Sequence, residues 1–188
     1  MKTPSLTTNR LIIRPINPKD AEDYFEFAKL PDVGPKAGWS PHESIHHTKM
    51  IIDNMNYFKP NHEPRNFSII LKETNKMIGT IELYHFTMRD KQAELGYCVS
   101  PIYQNQGIAT EACECILKFG FEELNLVRIE ASAYVDNIQS IRVCEKIGLK
   151  KEGILRKSYL SYDNKIYDRV VFAMTDEDYN RKKASNEN

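Results

Sequence analysis

The hydrophobic period of the chain changes near Asn66, and this change limits the folds that the chain can adopt. Before it, a short predicted strand at residues 10–15 is followed by segments in which apolar residues recur every three to four positions, which is typical of amphipathic helices. The first of these helices would bury a stripe formed by Ala21, Tyr24, Phe25 and Ala28. After Asn66, runs of β-branched and aromatic residues surround polar turns and predict strands, which then alternate with helices. The chain therefore predicts a mixed α/β fold.

The predicted order of elements is β-α-α-β-β-β-α-β-α-β-β, with helices on the faces of a mixed sheet. Asn17 and Pro18 are typical of a helix start and are expected to begin the first helix. The spacing Ser40-x-x-Glu43 matches a capping box and predicts a second helix from residue 40 to about residue 57. The inward residues of that helix would be Ile45, Ile52 and Met55. Gly148 is expected to end a later helix in the left-handed conformation.

Length, charge and hydropathy fit one globular domain in the cytoplasm. Of the 188 residues, residues 1–180 are predicted to form a single domain and residues 181–188 a flexible polar tail. Lys and Arg number 26, and Asp and Glu also number 26, which argues against a general nucleic-acid binder. No apolar leader and no membrane span are evident, so no membrane partner is expected. The sequence does not determine the oligomeric state, and a homo-oligomer is compatible with it.

Cysteines and histidines do not form a metal signature, and no metal cofactor is expected. None of the four cysteines belongs to a Cys-x-x-Cys pair, so reduced core thiols are expected: Cys98, Cys113, Cys115 and Cys144. His42 and His46 lie four apart on the second predicted helix, a spacing that suits two metal ligands. Because no third ligand lies near them in sequence, we expect these histidines to be exposed or to face a substrate.

The segment of residues 101–112 carries the clearest chemical signal. It connects a strand to a long helix, and Gly107 and Ala109 are small enough for main-chain N–H groups at the helix start to approach an anion. The segment has neither the Gly-Lys-Ser/Thr of a P-loop nor the Gly-x-Gly-x-x-Gly of a dinucleotide fold. A glycine that opens a helix often has only a structural role, so this segment alone is compatible with either a structural turn or an anion-binding loop.

Residues 104–109, Gln-Asn-Gln-Gly-Ile-Ala, fit the Gln/Arg-x-x-Gly-x-Gly/Ala signature of the GCN5-related N-acetyltransferases (GNAT). The chain resembles the ribosomal-protein (RimJ/RimL-like) branch of that family. Further matching segments follow the same order along the chain: residues 8–15, 78–81, 93–97, 137–140, 145–149 and 151–156. The resemblance implies a GNAT fold and the transfer of an acetyl group from acetyl-CoA to a primary amine. The favoured acceptor is the N-terminal α-amine of a protein, such as a ribosomal protein.

The resemblance also implies which residues hold acetyl-CoA. The main chain of residues 104–110 would cradle the pyrophosphate, and residues 98–100 would pair with the pantetheine arm like an added strand. Asn137 matches an asparagine that hydrogen-bonds the cofactor near its pantetheine. The residues expected to bind the cofactor are Cys98, Val99, Ser100, Gln104, Asn105, Gln106, Gly107, Ile108, Ala109, Thr110 and Asn137.

Glu94 matches the strand glutamate that histone-acetylating members of the family use as a general base. Such a group is needed because only a neutral amine attacks a thioester. At pH 7 an α-amine with a pKa of about 7.8 is roughly 14% neutral, whereas a lysine amine with a pKa of about 10.4 is on the order of 0.04% neutral. Glu94 could instead orient the substrate, and Glu82 on the preceding strand is a second candidate for the base.

The sequence departs from the family at the expected general acid. Many relatives have a tyrosine seven residues after the asparagine, and here that position is Cys144, which we expect to be a core thiol. Ser140 and Tyr134 are nearby alternatives, so the acid is unassigned.

Two other functions of the protein stay open. One is acetylation of a small amine such as a polyamine, an amino sugar or an amino acid derivative, and the other is a non-catalytic acyl-CoA-binding module.

Overall fold

The protein is built around a mixed sheet of eight strands. The computed structural model describes residues 4–57, 66–87, 89–162 and 164–186. The strands are β1 (Leu6–Thr7), β2 (Leu11–Pro15), β3 (Asn66–Leu71), β4 (Lys76–Thr87), β5 (Gln92–Val99), β6 (Arg128–Tyr134), β7 (Lys150–Leu160) and β8 (Ile166–Thr175). They pair in the order β1-β2-β3-β4-β5-β6-β8-β7, with β5 and β6 parallel.

Six α-helices accompany the sheet in the described part of the chain. They are α1 (Ala21–Ala28), α2 (Gly34–Ala37), α3 (Ile45–Tyr57), α4 (Ile108–Lys118), α5 (Ile138–Lys146) and α6 (Asp176–Asn186). A π-helical turn, Phe119–Glu123, continues α4. The predicted mixed α/β class is confirmed, while β1, α2 and α6 are additions to the predicted order.

The chain divides into two compact units. The first unit comprises Met1–Glu82 and Tyr97–Cys115, and the second comprises Leu83–Gly96 and Ile116–Asn188. Strands β4 and β5 therefore each contribute residues to both units.

In the first unit, the helical turn Pro18–Asp20, which leads into α1, begins at a well-formed N-cap. The Asn17 side chain accepts a hydrogen bond from the N–H of Lys19, as expected for the predicted cap, and the Asp20 carboxylate accepts a hydrogen bond from the N–H of Asn17. Helix α1 buries Phe27 in place of the predicted Phe25, which is half-buried. The apolar cluster beneath it contains Ile16, Ala21, Tyr24, Phe27, Ala28, Val33, Ile52, Ile70, Met77 and Cys98.

The start of α3 differs from the predicted capping box at Ser40. The helix begins at Ile45, because Ser44 acts as its cap: the Ser44 hydroxyl accepts a hydrogen bond from the N–H of His47 (3.0 Å). Ile52 is fully buried as predicted, but Ile45 lies in the first turn of the shorter helix and is 39% exposed. The prediction of Ile45 as an inward residue was therefore wrong.

Gly79 of β4 lies against the end of β5. A Cβ atom at this position would overlap the carbonyl oxygen of Cys98, so a glycine is required for the two strands to approach this closely. Just beyond, the N–H of Ser100 donates to the carbonyl of Ile78 (2.8 Å). These contacts fix the main chain that leads from β5 into the segment of residues 101–112.

The second unit contains antiparallel β6, β8 and β7 together with α5 and α6. Gly148 has φ +88° at the end of α5, as the sequence predicts. Residues 181–186 of the predicted polar tail belong to α6, and residues 187–188 lie outside the described residues. Tyr179 of this helix stacks on Phe121 with ring centroids 5.0 Å apart, which gives a polar helix an apolar attachment.

Candidate active site

The segment of residues 101–112 forms a tight, exposed loop that leads into α4. Asn105 (φ +58°) and Gly107 (φ +77°) both adopt the left-handed conformation, which allows the chain to turn sharply before the first helical turn. The Gln104 side chain donates from Nε2 to the carbonyl of Val99 (3.1 Å) and ties the loop to the end of β5. The structure therefore brings together, within the first unit, the loop residues that the sequence assigned to the pyrophosphate.

Arg10, at the start of β2, is attached to this loop although sequence analysis did not single it out. Its Nε donates to Oε2 of Glu111 (2.6 Å), its main-chain N–H donates to Oε1 of Glu111 (2.9 Å), and its Nη1 donates to the carbonyl of Gln106 (2.8 Å). The Thr8 hydroxyl also donates to Oε1 of Glu111. Partial burial raises the pKa of Glu111, but the bonds from Thr8 and Arg10 outweigh this effect, so the pKa is lower than usual.

The loop has the features that a pyrophosphate requires. In a trans peptide the carbonyl and the N–H point in opposite directions, so the carbonyl of Gln106, which is held by Arg10, turns the N–H of Gly107 away from Arg10. Around a Cβ added at Gly107, the nearest atom is Nη2 of Arg10 at 3.4 Å, so the rest of the space is open. The start of α4 adds unpaired N–H donors and the positive end of the helix dipole. These features fit the diphosphate of acetyl-CoA.

At the end of β5, local bonds restrict how a pantetheine arm could pair with residues 98–100. The N–H of Ser100 is already used by Ile78, and the carbonyl of Val99 already accepts from Gln104. A carbonyl has two lone pairs, so the Val99 oxygen can accept a second bond. The Cys98 side chain is buried, and burial raises its pKa to about 12, so it is a packing residue with no thiolate chemistry.

Glu94 lies on β5 within the second unit and is held by two side chains. Its Oε2 is 2.7 Å from Nδ1 of His85, on β4, and its Oε1 accepts from the hydroxyl of Ser132, on β6 (3.2 Å). The Glu94 side chain is 15% exposed, whereas that of His85 is 79% exposed. Arg169 of β8 in turn donates to the Ser132 hydroxyl (3.3 Å). His85 could not be identified from the sequence, because nothing in its local pattern distinguishes it from a surface histidine.

Asn137 and Cys144 occupy the two ends of α5. Asn137 is the N-cap of the helix, and its Oδ1 accepts from the N–H of Ser140 (3.2 Å), so Nδ2 is the group that would donate to a cofactor. Cys144 is buried, and burial raises its pKa to about 12. Tyr134, another candidate acid, packs against Tyr167, and burial is the main cause that raises its pKa to about 12.

The predicted environment of His42 was wrong. His42 precedes α3 and is buried, with its Nδ1 2.9 Å from the hydroxyl of Thr48. Burial and the neighbouring His47 lower the pKa of His42 to about 4, so its ring is neutral at pH 7. His46 is exposed on α3, so the two histidines do not share one helix face.

Among the described residues, no group of three or more His, Cys, Asp or Glu side chains could hold a metal ion. None of the described helices combines the length and the apolar character that a membrane crossing requires. The four cysteines are all free thiols.

Comparisons with known proteins identify the family. The acetyltransferase (GNAT) domain family matches residues 10–150. An uncharacterized N-acetyltransferase of Bacillus subtilis, YnaD, is 31% identical over 178 residues, which are 93% of this chain and 99% of that protein. The crystal structure of a GNAT-family acetyltransferase from Bacillus anthracis superposes with a TM-score of 0.81 at 30% identity, covering 93% of this chain and 99% of that chain.

A shorter match covers about half of the chain. YdaF of Bacillus subtilis, which is named only provisionally as a ribosomal N-acetyltransferase, is 33% identical over 96 residues, which are 51% of each protein. The extent of the family match and the near-complete coverage of YnaD decide the family assignment. The protein belongs to the GCN5-related N-acetyltransferase family and is an acetyl-CoA-dependent N-acetyltransferase.

Proposed function

We propose that the protein acetylates the N-terminal α-amine of a protein, and that a ribosomal protein is its acceptor. The single observation that carries this proposal is the similarity to YdaF, whose name assigns it provisionally to ribosomal acetylation. Amine chemistry supports it, since an α-amine is far more often neutral at pH 7 than a lysine amine and needs less help to attack. Such an acceptor implies the cytoplasm, which fits the four free thiols.

The first part of this proposal concerns the binding of acetyl-CoA. The loop of residues 104–110 presents N–H donors to the diphosphate, with Arg10 and Glu111 fixing its conformation. Bound acetyl-CoA supplies the thioester carbonyl that the amine attacks. Cys98, Val99 and Ser100 lie at the strand end where the pantetheine arm would extend, and Val99 offers its carbonyl.

Glu94 and Asn137 have the remaining roles in this proposal. Glu94 is the carboxylate that promotes loss of the amine proton, and Nδ2 of Asn137 donates to the cofactor. The amine attacks the thioester directly in a ternary complex, because a covalent route would require an activated nucleophile. Cys98 and Cys144 do not supply one, since burial raises the pKa of each thiol to about 12.

A small amine is the second candidate acceptor, and one relative favours it. The spermidine N(1)-acetyltransferase of Escherichia coli is 27% identical over 103 residues, which are 55% of each protein. This match has lower identity than the match to YdaF over a similar length, which is why the protein acceptor ranks first.

Initial rates of thiol release from acetyl-CoA would distinguish the two acceptors. The panel contains a peptide that begins with a free alanine, the same peptide with its α-amine blocked and an internal lysine, and spermidine. We expect turnover of the free α-amine peptide and at least 100-fold lower kcat/KM for the blocked one. Faster turnover of spermidine than of either peptide would assign the protein to small-amine acetylation instead.

A further inference from the structure

We propose that His85 is a catalytic residue, whose Nε2 accepts the proton of the acceptor amine while Glu94 holds the imidazole in place. The inference rests on the proposed placement of Glu94 in the reaction. Of the histidines that the structure describes, namely His42, His46, His47 and His85, only His85 has a hydrogen bond to a carboxylate. The Nδ1 to Oε2 distance is 2.7 Å.

This hydrogen bond determines which nitrogen can act as a base. A carboxylate only accepts hydrogen bonds, so Nδ1 carries the hydrogen and the lone pair of the neutral ring lies on Nε2. The remainder of the ring is directed toward solvent, because the His85 side chain is 79% exposed while that of Glu94 is 15% exposed. An incoming amine therefore reaches the imidazole more readily than the carboxylate beneath it.

The carboxylate is itself fixed by a chain of hydrogen bonds. The Ser132 hydroxyl donates a hydrogen bond to Oε1 of Glu94 and accepts one from Nη1 of Arg169. Nε of Arg169 in turn donates to the hydroxyl of Ser158 (3.2 Å). Both oxygens of Glu94 are therefore engaged, and its orientation toward His85 is determined by three strands, β6, β7 and β8. A fixed carboxylate, an oriented imidazole and an exposed second nitrogen are the parts of a positioned general base.

The backbone at His85 supports a functional origin for this arrangement. His85 has φ +48°, a left-handed conformation that is uncommon for a residue other than glycine and that interrupts the extended course of β4. Such outliers concentrate at functional sites. Here the turn presents the ring of His85 next to Glu94, and the ring also contacts Tyr84 with centroids 4.8 Å apart.

The proton balance of the step is complete. Nε2 of His85 removes one proton from the substrate ammonium, which gives a neutral amine and an imidazolium paired with Glu94. The nitrogen then bonds to the thioester carbon, the C–S bond breaks, and the electron pair leaves on the CoA sulfur. The second amine proton reaches the thiolate through solvent, and the imidazolium releases its proton to water.

The first test uses the intact protein with the free α-amine peptide and with spermidine as probes. We expect His85→Ala to lower kcat about 10²–10⁴-fold at neutral pH with acetyl-CoA affinity unchanged. Added imidazole should restore part of the rate, because the lost side chain is exposed and leaves space for the free base. Thr87→Ala, two residues further along the same exposed end of β4, is the control and should have wild-type kinetics.

Turnover of His85→Ala within about threefold of wild type would overturn the proposal. A loss of turnover that imidazole does not restore would assign His85 a structural role and would also overturn it. If the wild-type protein acetylates neither probe, the proposed acceptor fails, and a second measurement then decides on His85. The ¹⁵N NMR spectrum of the imidazoles, assigned with His85→Gln, should show the Nδ1–H tautomer in wild type, and the Nε2–H tautomer would overturn the proposal.

Discussion

Arg10 joins β2 to the start of α4 through Glu111, a residue 101 positions away in sequence, with 2.6 Å between Arg10 Nε and Glu111 Oε2. The same guanidinium holds the carbonyl of Gln106. Because Glu111 neutralises Arg10 locally, the pair contributes orientation rather than a free positive charge. The pair therefore holds the loop in the conformation that directs N–H groups toward the proposed diphosphate site.

This arrangement predicts that substitution of Arg10 weakens binding only of an acetyl donor that carries the nucleotide diphosphate. Arg10→Gln should raise KM for acetyl-CoA about 10-fold, equivalent to about 1.4 kcal/mol, while KM for S-acetylpantetheine, which has no diphosphate, stays unchanged. Arg10→Lys should recover only part of the affinity, because an ammonium group cannot reproduce the forked contacts. Lys19→Gln removes an exposed positive charge elsewhere in the first unit and serves as the control. Equal defects with both donors would contradict the assigned role.

Gly107→Val should lower acetyl-CoA affinity by at least 10-fold, or about 1.4 kcal/mol, while the protein remains folded. Valine is strongly disfavoured at φ +77°, and its branched side chain would fill the space above the loop. Calorimetric titration measures the affinity. Gly153→Val is the matched control, since no atom lies within 4 Å of a Cβ added at Gly153. Unchanged affinity in a folded Gly107 variant would remove this loop from the cofactor site, whatever the outcome for Arg10.

Cys144→Ala should lower the free energy of unfolding by about 1 kcal/mol and leave acetyl transfer unchanged. Burial raises the pKa of this thiol to about 12, so donating a proton to a thiolate of ordinary basicity would be unfavourable by roughly a thousandfold. Denaturant unfolding and the pH–rate profile measure the two effects. A tenfold or larger loss of turnover at an unchanged Tm would identify Cys144 as the general acid after all.

A partly buried ion pair near the start of α1 makes stability depend on pH. Asp20 is bonded by Arg14 (2.6 Å) and by the hydroxyl of Ser68 (2.6 Å). Burial raises the pKa of Asp20, but these bonds and the N–H of Asn17 outweigh it, and the net pKa is lowered. Asp20→Asn should therefore cost about 3 kcal/mol at neutral pH, because it leaves Arg14 without its partner.

The sign of the pH dependence follows from the lowered pKa. The stabilisation from Asp20 is fully present above the ordinary pKa of 3.8 and is lost as the pH falls through the lower pKa of the folded state. The difference in unfolding free energy between wild type and Asp20→Asn should consequently shrink only below about pH 4. Asp32→Asn, at an exposed position, should show no such convergence. A difference that is independent of pH would show that shape rather than charge matters at Asp20.

The parts of the fold that the sequence predicted correctly depend on local patterns. The Asn17 cap and the left-handed Gly148 follow from the conformations that those residues favour. The predicted start of α3 was wrong because Ser40 and Ser44 are both residues that favour a helix cap, and in the structure it is the Ser44 hydroxyl that accepts a hydrogen bond from the helix. Helix α6 was missed because its sequence is polar, and its attachment depends on a distant partner, the ring of Phe121.

The same distinction applies to the site. The loop and the helix that follows it were predictable, since the glycine and the start of the helix lie in one short segment. The contacts of Arg10 and His85 were not, because each joins residues on separate elements: Arg10 reaches α4 from β2, and His85 reaches β5 from β4. A hydrogen bond of this kind depends on how strands and helices come together, and the sequence pattern around either residue does not record it.

Glu94→Gln tests whether the carboxylate takes part in proton transfer or only orients substrate. The variant keeps the shape of the side chain but can no longer hold an imidazolium, so kcat should fall about 10²–10⁴-fold at neutral pH, or roughly 2.7–5.5 kcal/mol in barrier. Raising the pH should recover much of the rate, since the solvent then deprotonates the amine. A purely orienting carboxylate would instead raise KM and give no recovery at high pH.

Combining Glu94→Gln with His85→Ala tests whether the two residues act as one unit. If His85 is the base and Glu94 holds it, the double variant should lose about as much turnover as either single variant, because removing one partner already disables the other. Measuring kcat and KM from pH 6 to pH 9.5 for the four proteins, with the better of the two acceptor probes, provides the complete cycle. Losses that multiply in the double variant would mean that Glu94 and His85 contribute independently, and that Glu94 does not act through His85.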